Sequence, residues 1–277
     1  MSVFDDGLPC PEVGKWAEDK HSLVSLYAKL FSTGMKDKWD ERVYIELYAG
    51  AGCSKIRDTS TTIAGSPLRA LKLDHSFDKY IFCEQQPALL EALRKRVDYI
   101  APSANVVYVP GDCNEQVGEI LAAIPLASKE HTVLTLCFVD PYDIGIKFGT
   151  LSALSARYVD FLVLLALHMD ANRNYANYIR PESLKVAGLL GGRQLGETDG
   201  ASLRAMLYLF PDFSRRSLQT VWRVSGICLL PLYKMKEVRS DEKNLPLYHL
   251  VLFSRSELAY KYWDEVLKYS TDQTSLF

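Results

Sequence analysis

Apolar positions along the chain recur with two different periods, and the alternation between those periods predicts the architecture. Between Val13 and Phe31, Trp16, Leu23, Tyr27 and Leu30 follow spacings of seven, four and three, one face of a helix, and Gly34 ends the pattern. The β-rich run Val43 to Tyr48 then breaks into Ala49-Gly50-Ala51-Gly52. Ser66-Pro67 reads as an N-cap followed by proline at the first helical position, predicting a helix over Leu68 to Leu73. Tyr80 to Cys83 predicts a second strand ending at Glu84, and Pro87 opens a helix with Leu90, Leu93 and Val97 on one face. Val106 to Val109 predicts a third strand, followed by Gly111-Asp112-Cys113-Asn114 and a helix carrying Val117, Ile120, Leu121 and Ile124. Val133 to Val139 is more apolar than any earlier strand and runs directly into Asp140-Pro141-Tyr142; Tyr158 to Leu167 is a further continuous apolar run.

Near-continuous apolar strands are those covered on both faces, as parallel strands are. Their alternation with helices over residues 43–167 predicts an α/β, doubly wound, Rossmann-like sheet. The rhythm changes after that. Residues 168–220, with Gly188, Gly191, Gly192, Gly196 and Gly200 and many Asn and Arg, read as a mainly helical insertion or cap. Two β-rich segments follow, Val221 to Tyr233 and Leu247 to Ser254, and a final helix from Ser256. Residues 221–277 are therefore expected to complete the 1–167 core with an antiparallel edge.

Composition narrows the class of function. The chain has 277 residues, 48% hydrophobic and 24% charged, which suits one large globular α/β domain carrying an insertion. No apolar stretch has the length of a membrane span, and the N-terminus MSVFDDGLPCPEVGKW lacks the regions of a signal peptide. The six cysteines, at 10, 53, 83, 113, 137 and 228, form no CxxC pair, which argues against a zinc ribbon or redox motif and for reduced thiols in the cytoplasm. A net charge of −2 announces no basic coat for a phosphate backbone, although a local basic patch remains compatible with it.

Every distinctive polar element falls at a predicted strand end, where open α/β sheets bind ligands. Glu46-Leu47-Tyr48-Ala49-Gly50-Ala51-Gly52 has small residues that let backbone approach a ligand, and Glu46 suits an ammonium group; the alternative is an ordinary tight turn. Glu84 suits the two hydroxyls of a ribose, the alternative being a solvated strand end, and the polar stretch Ser54 to Ala64 accounts for its distance from Gly52. Asp112 and Asn114 suit the amine and ring nitrogen of an adenine, or serve to turn the chain and cap the next helix. Asp140 and a carbonyl near Pro141 suit the two protons of an amine, with Tyr142 as a stacking face; the alternative is an Asp-Pro turn. Lys20 lies on the apolar stripe of the first helix, its head directed either to solvent or to an anion such as a cofactor carboxylate. His168 and Asp170 follow the fifth strand, as substrate-side groups or as a satisfied polar pair.

WAEDKHSLVSLY at 16–27, VYIELYAGAG, GSPLRAL, IFCE, GDCN, FVDPYD and the ending LYHLVLFSRSELAYKYWDEVLKY resemble the three-Cys-motif partner protein family. The resemblance covers nearly the whole chain except 170–240. It implies a class I S-adenosylmethionine-dependent methyltransferase-like fold, a bacterial or archaeal setting and a neighbouring protein with a three-cysteine motif as partner. The Glu46-to-Gly52 loop also resembles the cofactor loop of DNA methyltransferases. Asp140-Pro141-Tyr142 resembles the Asp-Pro-Pro-Tyr motif of amine-methylating nucleic-acid enzymes, less one proline.

The expected function is methyl transfer from S-adenosylmethionine to an exocyclic amine of a DNA or RNA base. Glu46, Tyr48, Gly50, Gly52, Glu84, Asp112, Asn114 and Lys20 would bind the cofactor, and Asp140, Pro141 and Tyr142 would orient the amine, with no metal. Two alternatives stand beside it: a non-catalytic partner of a three-cysteine protein, and a small-molecule methyltransferase. Arg173, Arg180, Arg204, Arg215 and Arg216 gathered at the entrance would favour nucleic acid.

Overall fold

The computed structural model describes residues 6–59, 61–142, 145–165, 228–229, 236–239 and 246–272. The expected insertion at 168–220, with His168, Asp170 and the five arginines, lies outside the described residues.

Five parallel strands form the centre of the main sheet: β2 (Glu41–Glu46), β5 (Lys79–Glu84), β6 (Val106–Pro110), β7 (Val133–Val139) and β8 (Val159–Leu165). Their spatial order is β6-β5-β2-β7-β8. The chain winds outward from β2 to β6, then returns to the other side of β2 to lay down β7 and β8. β2 and β7 therefore flank the switch point, where the crevice of a doubly wound sheet opens. On the far side of β8 lies β11 (Pro246–Ser254), antiparallel, and then the edge strand β10 (Lys236–Arg239). The short β9 (Cys228–Leu229) pairs with the end of β11. The expected antiparallel edge is thus present.

Alternation along each strand divides the core in two. Tyr44, Tyr80, Phe82, Phe138 and Leu252 join one cluster, and Val43, Ile45, Ile81, Cys137 and Val251 the other. Every residue of β7 and of β8 is buried, as expected for strands covered on both faces. The first cluster is covered by α1 (Trp16–Met35), α2 (Ser66–Leu71), α3 (Pro87–Ile100) and α6 (Glu257–Asp272). The second lies under α4 (Val117–Ala123) and α5 (Phe148–Leu154).

Three local differences from the sequence reading have packing causes. Gly34 does not end α1 but lies in its last turn, where an added Cβ would collide with the Tyr262 phenol of α6. The helices approach closely there, so glycine serves contact rather than termination. Ser66 is not a side-chain cap; Gly65 holds the N-cap position of α2, and the Ser66 hydroxyl is drawn inward to Glu46. The polar stretch 54–64 is a hairpin, β3 (Cys53–Ile56) with β4 (Thr62–Ala64), joined by the N-terminal strand β1 (Glu12–Val13) into a small second sheet.

Trp263 of α6 is fully buried and meets fully buried Tyr27 of α1 edge to face, with ring centroids 5.8 Å apart. Replacing Trp263 with alanine should lower unfolding free energy by about 3–5 kcal/mol, read from the urea midpoint.

Candidate functional site

The loop between β2 and β3 depends on two glycines. Gly50 and Gly52 have φ of +62° and +79°, in the left-handed region that glycine enters without strain. Open space lies where a Gly50 side chain would stand, whereas a Cβ on Gly52 would meet Leu93 Cδ1 at 2.8 Å and Leu68 Cγ at 3.1 Å. One glycine exposes backbone and the other packs it. Neighbouring elements hold the loop: Ala49 N donates to the Cys83 carbonyl at 2.9 Å, and Gly65 N donates to the Gly52 carbonyl at 2.7 Å.

Glu84, at the end of β5, receives the Gly50 N–H on one oxygen (2.8 Å) and the Gln86 N–H on the other (2.9 Å). It is buried. Each oxygen keeps a further lone pair, so the carboxylate can still accept hydroxyl donors.

Glu46 ends β2 in the interior, at 1% exposure. Its oxygens accept from Tyr44 Oη at 2.6 Å and from Ser66 Oγ at 2.9 Å. Desolvation pushes its pKa up to about 8; the two hydroxyl donors and the Lys20 charge oppose the rise, while Asp140 adds to it. At neutral pH this carboxyl is held protonated beneath the loop, bound to α2 through Ser66.

Asp112 and Asn114 follow β6. Asp112 Oδ1 accepts from Asn114 N (2.8 Å) and Nδ2 (3.0 Å), and among the described residues Oδ2 has no hydrogen-bond partner. All four positions of the Asn114 amide are engaged within the protein. Its nitrogen also donates to the Gly145 carbonyl (3.1 Å), and its oxygen accepts from Lys147 N (2.9 Å) and Thr150 Oγ1 (2.8 Å). Asn114 therefore fastens Gly145 and the start of α5, Lys147 to Thr150, to the end of β6. Tyr48 is half-buried and hydrogen-bonded with the Cys113 thiol, which burial pushes up to about 11.

Asp140, just beyond β7, is met by Lys20 of α1: Nζ donates to Oδ2 at 2.5 Å, with the side chains 7% and 20% exposed. Lys20 also lies over the Trp16 ring, 5.2 Å from its centroid. Of the sequence-stated alternatives, the lysine head has found an anion, and that anion is Asp140. Asp140 Oδ1 has no hydrogen-bond partner among the described residues. Pro141 is buried, and the Tyr142 ring is 70% exposed. Partial desolvation, then the charges of Glu84 and Asp140, hold its phenol above the usual value. The first acid, the second acid, the third acid and the Asp-Pro-Tyr element thus stand at the ends of the adjacent strands β2, β5, β6 and β7.

Arg96 of α3 escaped the sequence reading. Its side chain is 1% exposed. It grips both oxygens of Asp6 (2.8 Å each), the Pro9 carbonyl (3.0 Å) and, at 2.7 Å, the Ala51 carbonyl inside the glycine loop. An arginine three residues after Leu93, on the buried face of the helix, was the available signal; only the fold shows that its partners come from the N-terminal segment.

No family model matches the chain, and neither does any curated protein. Its fold resembles solved structures at low identity. One is the O-methyltransferase from Bacillus cereus in complex with SAH: 9% identity, 89% of this chain and 84% of that one, TM-score 0.52. Another is the O-methyltransferase TomG from Streptomyces achromogenes, involved in tomaymycin synthesis, in complex with SAM: 12% identity, 86% of this chain and 80% of that one, TM-score 0.50. The likeness shows the fold alone: a Rossmann-like α/β sheet, shared with these two structures.

The raised Glu46 gives a signed pH dependence. Below about pH 4.5 the carboxyl is protonated in both folded and unfolded chains; from there to about pH 8 only the folded chain retains the proton. Its contribution to stability therefore falls as pH rises through that window, by up to about 1.4 kcal/mol per pH unit. Glu46→Gln, neutral throughout, should gain stability relative to the wild type between pH 5 and pH 8, measured by urea unfolding at both.

Proposed function

We propose that this chain is an S-adenosylmethionine-dependent methyltransferase acting on an exocyclic amine of a nucleic-acid base. The observation that carries the reading is the row formed by the glycine loop, Glu84, Asp112 and Asp140-Pro141-Tyr142 at the carboxyl ends of the adjacent strands β2, β5, β6 and β7, beside the switch point. The fold supports it, since the two similar structures were solved with SAM and SAH.

The residues present fit such a cofactor. Gly50 offers backbone with open space before it, Glu84 has lone pairs for two ribose hydroxyls, and Asp112 Oδ2 is available to an adenine amine. Asn114 serves from behind by orienting Asp112. Glu46, beneath the loop, can meet an ammonium only by sharing an oxygen already bonded to Tyr44 or Ser66. The cofactor, when bound, supplies an activated methyl group on a sulfonium. The protein contributes alignment: Asp140 Oδ1 and the Pro141 carbonyl take the amine N–H groups, aiming the nitrogen lone pair, and exposed Tyr142 offers a stacking face for the base. Asp140 then receives the proton released when the nitrogen is methylated.

A second reading rests on the sequence resemblance to three-Cys-motif partner proteins: the fold kept as a binding module for a three-cysteine protein. Both readings suit the cytoplasm, where the free thiols Cys10, Cys53, Cys83, Cys113 and Cys137 stay reduced.

Calorimetric titration with S-adenosylmethionine should show micromolar binding that Glu84→Ala weakens at least tenfold, as expected when a charged hydrogen-bond acceptor is lost. No binding would favour the partner module, with co-purification of a three-cysteine protein as its check. Asp140→Ala should abolish transfer to DNA or RNA oligonucleotides while leaving cofactor affinity within a few-fold; unchanged turnover would remove Asp140 from the mechanism.

A further inference from the structure

The acceptor side of the site is balanced in charge by a residue from the other end of the chain. Lys20 and Asp140 are 120 positions apart in sequence, yet they meet at 2.5 Å with little exposure of either side chain. The lysine stem is fixed as well, because Trp16, one helical turn earlier, places its ring beneath Nζ. Burial of an ammonium is tolerated only beside a counter-charge. Two other acids face the region. Glu84 is occupied by the N–H groups of Gly50 and Gln86, and Glu46 by two hydroxyls. Neighbouring His21 adds no second positive charge, because desolvation, then the charges of Lys20 and Arg69, hold it neutral. Asp140 is thus the one anionic partner that Lys20 has among the described residues.

The pair uses one carboxylate oxygen and leaves the other. Lys20 engages Oδ2, which restricts rotation of the carboxylate and leaves Oδ1 without a hydrogen-bond partner among the described residues, next in sequence to Pro141 and Tyr142. It also neutralises the carboxylate. An unpaired aspartate at that place would draw in a cationic amine; a paired one offers no net charge to such a ligand and still accepts a hydrogen bond from an uncharged N–H.

We propose that Lys20 is an acceptor-side positioning and specificity residue, which orients Asp140 and selects an uncharged nitrogen acceptor, such as a base amine, over a cationic aliphatic amine. The proposal rests on the methyltransferase reading above and assigns Lys20 to the acceptor rather than to the cofactor carboxylate.

The test compares wild type, Lys20→Met and Lys20→Arg in two measurements. In titration with S-adenosylmethionine alone, Lys20→Met should bind within a few-fold of the wild type; a loss of tenfold or more would overturn the proposal by making Lys20 a cofactor anchor. In transfer assays with an adenine- and cytosine-bearing oligonucleotide and with spermidine, wild type should use the oligonucleotide only. Lys20→Met should raise the oligonucleotide KM about tenfold, the loss of one charged hydrogen bond, and gain activity on spermidine. Lys20→Arg should restore the wild-type preference, which a purely structural lysine would not predict. Unchanged KM and unchanged preference in Lys20→Met would also overturn the proposal. If wild type binds cofactor and methylates neither acceptor, the base-amine reading and this proposal both fall. If Lys20→Met does not fold, Lys20→Gln takes its place in both measurements.

Discussion

A parallel sheet covered on both faces leaves no room along its strands for polar chemistry. β7 and β8 are buried from end to end, and the clusters on either side of the sheet are built from alternating residues of the same strands. A charge in the middle of such a strand would have to be desolvated on both faces of the sheet. The polar side chains that this chain uses are accordingly displaced to the carboxyl ends of β2, β5, β6 and β7, and the order of those strands then decides which of them become neighbours. The position of the site follows from the requirement to cover the sheet twice.

At the strand ends, a second requirement operates: each buried charge needs a counterpart. The structure meets it in several ways. Lys20 neutralises Asp140, and Arg96 is held by Asp6 and by carbonyls. Glu84 takes two backbone N–H groups. Glu46, the most enclosed of the acids, gives up its charge instead, because hydroxyl donors offset only part of the desolvation. These solutions also build the site mechanically. The Glu84 bond holds Gly50, the Arg96 bond holds Ala51, and the Ser66–Glu46 bond ties α2 to the end of β2. The glycine loop therefore has φ values that glycine permits and a set of external bonds that select one conformation.

The N-terminal segment takes part in this arrangement. Asp6 and Pro9 reach Arg96, Pro11 accepts from Lys55, and α1 brings Lys20 to Asp140. The segment from Asp6 to Lys20 thus touches both halves of the candidate site, whose principal motifs lie far from it in sequence.

The sequence alone determined the sheet and the polar residues that stand at its strand ends. Near-continuous apolar runs marked β2, β5, β6, β7 and β8 within a few residues, since burial on both faces leaves a continuous signal. Glu46, Gly50, Gly52, Glu84, Asp112 and Asp140 were legible because they interrupt those runs at their ends. Lys20 was legible as an oddity on an apolar stripe. Its partner was not, and neither was Arg96's hold on Ala51, the inward turn of Ser66 or the packing role of Gly34. Each of these is a meeting of residues distant along the chain, and local periodicity carries no record of such meetings. Tertiary structure decided them, because only the order of strands and the approach of helices sets which buried donor finds which buried acceptor.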